Sequence, residues 1–366
     1  MSDWFSLRHL KSSGEIGRTR TRCQISEIRE KVTRNGKPYY DLVLRDAEDS
    51  ATLKVWSDNP AFAAVSAMRR GEFVEVEGEW STGDYGLECR DWNVRRLEAR
   101  EAAAVLAGSE DLRARQAKDG EDIDEFVASM RDPRLRTLCR WFLDEFGERF
   151  RRTAAARDYH HARRGGLVEH VAQMMRSADA LCSVYPAVNR DLVLAGVLFH
   201  DAGKLWENTF GENDFTMRYH EAGELMGHIT IGMELINRLW RDLMENEEAE
   251  VWRELEPSNE RVRLHLLHLV ASHHGELAFG APVTPRTPEA MLLHFVDNID
   301  AKLEMMFRGY ETSPELDHNV LERVRPLPGR LVRPLEHLHF VDPADEEEAA
   351  GKSSGTDEEE PTPGGK

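Results

Sequence analysis

Apolar and polar side chains alternate along the first quarter of the chain, and this period of two predicts β-strands. Three such runs come first, and the dipeptide Asn35-Gly36 marks a tight hairpin turn. One amphipathic helix is predicted over 59–68, and strands over 72–79 and 86–95 follow it. Three strands, a helix and two strands within about eighty residues are the element order of an OB-fold barrel, so 16–98 is predicted as an OB-fold domain.

Further along the chain the apolar spacing changes to the period of an α-helix, with no convincing strand in between. Helices are predicted at 167–185, 191–203, 228–243, 260–273 and 288–307. We therefore predict a multidomain protein in which an all-β OB-fold barrel is followed by an all-α domain over 121–325. The remaining segments are a lead-in at 1–15, a helical linker at 99–120, and a tail at 326–366 that is Pro-rich, then acidic and disordered.

The alternation also separates the two faces of each predicted strand, and one face is apolar and assigned to the barrel interior. The other face carries basic and aromatic side chains, namely Arg20, Arg22, Tyr39, Lys54, Trp56, Arg90 and Trp92. Because rings stack on bases and cations follow phosphates, this face predicts a binding surface for single-stranded nucleic acid. The alternative is that Trp56 and Trp92 pack against the second domain and the arginines are merely solvated.

The net charge of −19 argues against a nucleic-acid partner only at first sight, because the charge is unevenly distributed. Residues 342–366 hold nine acidic side chains and two lysines, whereas the first hundred residues hold 17 basic and 17 acidic ones. No apolar run approaches membrane-spanning length, the N-terminus lacks the form of a signal peptide, and the four cysteines are scattered. We therefore expect no membrane partner, no disulfide framework and a cytoplasmic location.

The most apolar helical run ends with His200-Asp201. A buried imidazole beside a carboxylate is costly unless the pair is hydrogen-bonded or bound to a cation, and a satisfied core pair is the simpler explanation of the dipeptide alone. Other helical segments add His170, His228, His273, His274 and Asp297. Imidazoles with carboxylates suit Mn, Fe, Co or Zn, and one shared carboxylate indicates two metals bridged by Asp201.

The order His170, His200-Asp201, Asp297 resembles the signature of the HD superfamily of metal-dependent phosphohydrolases. More specific stretches are Gly165-Gly166-Leu167-Val168-Glu169-His170, Leu225-Met226-Gly227-His228-Ile229, Ser272-His273-His274-Gly275 and Asp297-Asn298-Ile299-Asp300. With an OB-fold domain N-terminal to these motifs, the chain resembles the YhaM family of 3′→5′ exoribonucleases over roughly 16–310.

The resemblance implies that 121–325 is an HD domain with two divalent metal ions, Mn²⁺ or Co²⁺ first among the candidates and Fe²⁺ or another ion left open. His170, His200, Asp201 and Asp297 would hold the first ion. Asp201 would bridge to the second, which His228 and either His273 or His274 would complete, with His273 preferred. The enzyme would release nucleoside 5′-monophosphates from the 3′ end of single-stranded RNA, with single-stranded DNA also open, and the outward face of the barrel would bind that RNA.

In this interpretation Asp201 and Lys204 are catalytic. A hydroxide formed between the two cations would attack the terminal phosphorus, and Lys204 would offset charge on the phosphoryl oxygens. The alternative for Lys204 is a helix-end lysine stabilised by the helix dipole. His161, His294 and Asp300 are candidates for contacting substrate or for hydrogen-bonding to a ligand, and His161 and His294 are also explained by simple packing.

The sequence leaves two other functions open. One is an HD phosphohydrolase of a small nucleotide (a dNTP, a cyclic dinucleotide or an alarmone) in which the barrel serves assembly, although few basic residues besides Lys204 are candidates for binding a triphosphate. The other is a nucleic-acid-binding protein with a structural metal site, which the large ligand set disfavours. Self-association into a homo-oligomer is open as well.

Overall fold

The computed structural model of the chain describes residues 4–13, 17–83 and 86–335, apart from the side chain of Glu248. The predicted disordered acidic segment at 342–366 lies outside these residues. Within the described part of the chain, no helix is both long enough and apolar enough to cross a membrane.

Five antiparallel strands and two short helices form the N-terminal domain. They are α1 (Leu7–Ser12), β1 (Gly17–Val32), β2 (Pro38–Arg45), β3 (Ser50–Trp56), α2 (Phe62–Ser66), β4 (Phe73–Gly83) and β5 (Gly86–Arg96). The strand order is β3-β2-β1-β4-β5, and β3 and β5 also contact each other, which closes the sheet into a barrel. This order, with a helix between the third and fourth strands, is that of an OB-fold, so the predicted barrel is confirmed.

The predicted inner face of the barrel is buried, but the prediction for Trp92 is wrong. Trp92 is 1% exposed and packs in the barrel core, whereas the alternation predicts it on the outer face. The cause is a β-bulge, in which Asp91 and Trp92 of β5 stand opposite Gly78 alone on β4. Asp91 takes a left-handed conformation with φ of 44°. An extra residue shifts the alternation by one position, and this shift turns Trp92 inward.

Helices dominate the described residues after the barrel. They are α3 (Ala99–Ala107), α4 (Glu110–Ser129), α5 (Pro133–Phe150), α6 (Gly166–Val184), α7 (Arg190–Phe199), α8 (Glu221–Met244), α9 (Asn259–Ser272) and α10 (Pro288–Thr312), and a hairpin of β6 (Glu315–Asp317) and β7 (Val320–Leu321) follows. Helix α7 is apolar on nearly every side, so it lies at the centre with α5, α6, α9 and α10 around it. The predicted helical domain is confirmed, with the small hairpin as an addition.

Two segments that the sequence assigns to a linker and a tail take part in this packing. The predicted linker 99–120 forms α3 and the first half of α4, where the Gln116 amide donates hydrogen bonds to the backbone oxygen of Arg164 and to Glu169. Leu327 and Leu331 of the predicted tail are buried against the end of α10. Both segments therefore contact the helical region, while the domain limits stay a prediction.

The barrel packs directly on the helical region. The rings of Phe73 and Phe215 lie 6.1 Å apart, and the Gln24 side-chain oxygen accepts a hydrogen bond of 2.8 Å from the Phe215 backbone. Arg308 of α10 pairs with Asp49 at 3.1 Å. These apolar, polar and ionic contacts orient the barrel relative to the helices.

Arg134 is buried at the start of α5 and is expected to be important for stability. Its side chain is 2% exposed and binds Asp132 at 2.7 Å, the Pro257 oxygen at 2.7 Å and Asn259 at 3.0 Å. Because Arg134→Ala removes a buried guanidinium together with its hydrogen bonds to these three partners, we expect the free energy of unfolding to fall by about 3 kcal/mol in urea denaturation. Arg140→Ala on the same helix breaks an ion pair that is about half exposed, and is expected to cost less than about 1 kcal/mol. Equal losses for the two variants would contradict this account.

Candidate metal centre

His200 and Asp201 stand where the buried central helix ends. Helix α7 stops at Phe199, and a 3₁₀ turn, Ala202–Trp206, begins directly after Asp201. His200 Nδ1 donates to the backbone oxygen of Val197 at 2.8 Å, which leaves Nε2 as the free ring nitrogen. The turn brings Lys204 Nζ back to 2.6 Å from Asp201 Oδ2. A carboxylate, a free imidazole nitrogen and an ammonium group thus share one point of the fold.

A first group of donors surrounds the Oδ2 side of Asp201. His170 of α6 has Nε2 3.3 Å from His200 Nε2 and 3.4 Å from Oδ1 of Asp297 on α10. His200 Nε2 lies 3.2 Å from Asp201 Oδ2. Donors that bind one cation at about 2.1 Å lie roughly 3 to 3.5 Å apart, so this spacing fits a shared metal ion.

A second group surrounds the Oδ1 side of the same carboxylate. His228 Nε2 lies 3.5 Å and His273 Nε2 3.7 Å from Asp201 Oδ1. One ligand atom from each of His228, His273 and His274 lies within 4.8 Å of the others. Asp201 therefore faces one donor group with each of its oxygens, as a bridging ligand would.

Hydrogen bonds at Nδ1 orient all three imidazoles of the second group. His273 Nδ1 donates to the Val270 oxygen at 2.7 Å, and His274 Nδ1 donates to the Phe279 oxygen at 2.7 Å. His228 Nδ1 lies 3.2 Å from Glu207 Oε2. With Nδ1 occupied, each ring offers Nε2 to a cation, and these hydrogen bonds fix the tautomer that metal binding needs.

A break in α8 aims His228 at the centre. Gly227 has φ of 70° and ψ of 159° inside the helix, a conformation that favours glycine. The backbone nitrogen of His228 then donates to Glu207 Oε1 at 2.9 Å, so Glu207 fixes both the backbone and the ring of His228. Glu207 was not predicted as a site residue, because only the folded chain brings the turn after Lys204 beside His228.

Polar atoms without partners test whether cations fit. Asp201 Oδ1, His228 Nε2 and His273 Nε2 are buried and find no hydrogen-bond partner in the described part of the chain. Burial of such atoms is costly unless something binds them, and a divalent cation between them would bind all three. The donor set of imidazoles and carboxylates also suits a transition metal, so the residues fit two divalent ions.

The pKa shifts of the centre also favour a cation beside His170. Burial alone would lower the pKa of His170, but Asp297 and Asp300 raise it to about 10. Burial and the neighbouring His200 lower the pKa of His273 well below its usual value, so this ring is neutral. Although burial acts in the opposite direction, Lys204 and His200 hold the pKa of Asp201 well below the usual range. A cation in the first group would thus replace the proton that the carboxylates draw to His170.

The two donor groups are held by further hydrogen bonds, which involve Asp300, His161 and His294. Asp300 Oδ2 accepts from His170 Nδ1 at 2.6 Å and lies 3.0 Å from His161 Nε2. His294 Nδ1 donates to the backbone oxygen of His273 at 2.8 Å. Three largely buried charges, Arg163, Glu169 and Glu304, lie beyond His161, and their network was not predicted from the sequence. Glu169, next to His170 in the motif, was the available signal.

Comparisons with known proteins fit this geometry. Residues 167–302 match the family model described as HD domain. The chain is 30% identical over 287 residues to the 3′-5′ exoribonuclease YhaM of Geobacillus sp. (strain WCH70), which covers 78% of this chain and 83% of the relative. It is 31% identical over 295 residues to the protein of the same name from Shouchella clausii (strain KSM-K16), over 78% of this chain and 84% of the relative. The chain belongs to the YhaM family.

Membership of the YhaM family, together with the HD domain, makes the chain a hydrolase that depends on divalent metal ions, and the predicted HD domain is confirmed. A much weaker likeness is to the solved second OB-fold domain of replication protein A from Methanococcus maripaludis. It has 18% identity and a TM-score of 0.20, and covers 26% of this chain and 96% of that one. The OB-fold assignment of this YhaM-family chain therefore rests on its strand order.

On the outer face of the barrel, the structure brings only some of the predicted residues together. The rings of Tyr39 and Trp56 lie 4.8 Å apart across β2 and β3 at an interplanar angle of 34°, and Trp56 is 43% exposed. Arg22 instead pairs with Glu75 at 2.7 Å and with Glu101 at 3.1 Å. The remaining residues, apart from the buried Trp92, are partly or fully exposed: Arg20, Lys54 and Arg90. The pair of half-buried Tyr39 and exposed Trp56 is thus the strongest feature of this face.

Proposed function

We propose that this YhaM-family chain is a 3′→5′ exoribonuclease that releases nucleoside 5′-monophosphates from single-stranded RNA, with two divalent ions at one bridged site. The observation that carries the proposal is the position of Asp201, which presents Oδ2 to one donor group and Oδ1 to the other. His170, His200 and Asp297 would complete the first site, and His228, His273 and His274 the second. The imidazole and carboxylate ligands suit Mn²⁺, Fe²⁺, Co²⁺ or Zn²⁺, and the family resemblance makes Mn²⁺ and Co²⁺ the preferred ions among them.

When bound, two such ions supply Lewis acidity at the phosphoryl group and lower the pKa of a coordinated water. The side chains around the site would stabilise charge on the phosphoryl group and form hydrogen bonds to it. The Lys204 side chain is 11% exposed and its Nζ lies beside Asp201, so it can offset negative charge on a phosphoryl oxygen that binds there. Burial and the charge of His170 lower the pKa of His160 to about 3, so His160 faces the site as a neutral hydrogen-bonding group. Cleavage of the terminal phosphodiester then leaves a 3′ oxygen on the shortened RNA.

One experiment tests the function directly. The purified protein with Mn²⁺ would receive single-stranded RNA labelled at its 5′ or its 3′ end, together with a dNTP panel and cyclic dinucleotides. Stepwise shortening of the 5′-labelled RNA, with label released at once as a mononucleotide from the 3′-labelled RNA, is the expected result. Hydrolysis of a small nucleotide with intact RNA would favour the phosphohydrolase alternative, and binding without turnover would favour a structural metal site.

The pair of Tyr39 and the more exposed Trp56 is expected to bind the bases of the substrate. Stacking on an aromatic ring contributes about 1–3 kcal/mol per base, so Trp56→Ala should raise KM for a longer single-stranded RNA about 10-fold and leave kcat nearly unchanged. Steady-state kinetics check this, with Tyr185→Ala as a control, because Tyr185 is 58% exposed at the end of α6 in the helical region. Equal KM values for the two variants would show that this face of the barrel does not bind the substrate.

A further inference from the structure

A small cavity at the junction of barrel and helices is lined by arginines from both sides. Its volume is about 60 Å³, which suits a few water molecules or one phosphate-sized anion. Arg45 reaches it from the end of β2, Arg157 and Arg163 from the loop before α6, and Arg308 from α10. The acidic side chains in its wall are Asp46, Asp49 and Asp158.

Three of the four arginines have close ion-pair or ring partners on the chain, whereas the guanidinium carbon of Arg45 lies 6.0 Å from the ring of Phe210. Arg163 pairs with Glu304 at 2.9 Å and also contacts Glu169. The other two partners are the ring of Tyr219, 4.1 Å from the guanidinium carbon of Arg157, and Asp49, 3.1 Å from Arg308. These contacts hold the three guanidinium groups in place around the cavity.

Arg45 is different. Its Nε is buried and has no hydrogen-bond partner, and Arg45 forms no ion pair with a carboxylate of the described residues. Asp46 does not fill this role, because its carboxylate accepts from the backbone nitrogens of Leu7 at 2.6 Å and Asp49 at 2.8 Å, and burial raises its pKa to about 7. Burial also lowers the pKa of Arg45. Asp158 and Asp49 attract Arg45, but neither supplies an acceptor to its buried Nε, so an anion that accepts from this nitrogen is the expected occupant.

A second cavity of about 230 Å³ adjoins the first, and the two share Asp158 and Arg308. It adds the half-exposed ring of Tyr159 and the side chain of Met305. Two further arginines, Arg323 and Arg325, lie in its wall. A ring face with apolar contacts suits a base, and arginines suit phosphates and stack on bases. The two cavities together offer a phosphate position beside a nucleoside position.

We propose that the junction binds a nucleotide, with its phosphate in the arginine-lined cavity against Arg45 and its nucleoside in the cavity beside Tyr159. The choice of nucleotides as the ligand class rests on the proposed function. The phosphate has two sources with the same chemistry: an upstream phosphodiester of the substrate RNA, or a free nucleoside 5′-monophosphate. Arg45 is the deciding residue, because its Nε is buried and has no hydrogen-bond partner among the described residues, and the ring of Phe210 lies as far as 6.0 Å from its guanidinium carbon.

Calorimetric titration of the Mn²⁺-loaded full chain with AMP tests the site. Wild type is expected to bind one equivalent at the metal centre and one at the junction. Arg45→Gln should weaken the junction equivalent about 10-fold or more, since a charge-assisted hydrogen bond is lost, and Arg45→Lys should weaken it less. Arg238→Gln, which changes a half-exposed arginine of α8, should bind like wild type. Asp201→Asn should keep the junction equivalent, so this binding is separable from the metal chemistry.

Kinetics distinguish the two sources. If Arg45→Gln raises KM for a longer RNA but not for a dinucleotide, the site holds an upstream phosphate of the substrate. If KM is unchanged while the AMP equivalent is lost, the site holds a free nucleotide. A wild-type titration without the second equivalent, together with an unchanged KM in Arg45→Gln, overturns the proposal whether or not RNA is cleaved. Should Arg45→Gln fail to fold by circular dichroism, the comparison of wild type with Arg45→Lys decides.

Discussion

Asp201→Asn is expected to lower kcat about 10³-fold or more, because bound metal ions contribute several kcal/mol to phosphoryl transfer. Asparagine keeps the size of the side chain but removes the charge that both donor groups share. Each of the two Asp201 oxygens lies within 3.7 Å of an imidazole nitrogen, so the substitution affects both sites at once. Metal analysis after gel filtration should find fewer ions per chain, in parallel with the loss of RNA shortening.

Asp179→Asn is the matched control for this prediction. Asp179 lies on α6 and pairs with Arg190 at 2.5 Å, and both side chains are a third or so exposed. Exposed pairs of this kind contribute about 1 kcal/mol or less, so metal content and kcat should both stay close to wild type. An Asp201→Asn protein that kept both ions and its activity would rule out the bridging role of this carboxylate.

The general architecture is predictable because each part has its own period. Alternation in the barrel and helical spacing after it come from burial of one face of each strand or helix. Helix α7 is buried over Leu192 to Phe199, and a helix so apolar that ends in His200 and Asp201 has few explanations other than a site. The convergence of the imidazoles and carboxylates is present in the structure, while their role as ligands stays a prediction.

The features that could not be predicted depend on backbone geometry, which the periodic spacing of apolar residues does not encode. The bulge at Asp91 moves Trp92 into the core, although local alternation places it outside. Glu207 approaches His228 only because α8 breaks at Gly227 and packs on the turn after Asp201. The lack of a hydrogen-bond partner for the buried Arg45 Nε becomes visible only in the folded chain, where the barrel and the helices pack together. These features arise from contacts between distant segments, which a local pattern does not encode.

Gly203→Ala is expected to displace the second donor group without changing any ligand. A Cβ atom on Gly203 would lie 1.9 Å from the backbone oxygen of His228 and 2.6 Å from its carbonyl carbon. Backbone cannot yield as a flexible side chain does, so the 3₁₀ turn and α8 must move apart and carry His228 away from Asp201. A misplacement of about 1 Å can cost roughly 10²-fold in rate, and we expect a loss of that size in kcat together with weaker binding of one Mn²⁺.

Gly120→Ala supplies the control, since nothing lies within 4 Å of a Cβ atom at this position in α4. Alanine is the better helix former by about 1 kcal/mol, so this variant should keep its activity and become slightly more stable. Calorimetric Mn²⁺ titration and circular dichroism of both variants separate a displaced His228 from an unfolded protein. If Gly203→Ala were folded and bound two ions with wild-type affinity, the close packing of the turn against His228 would not be what positions the second group. One tight and one weakened Mn²⁺ site would instead show that the missing side chain of Gly203 lets the 3₁₀ turn and α8 approach each other beside Asp201.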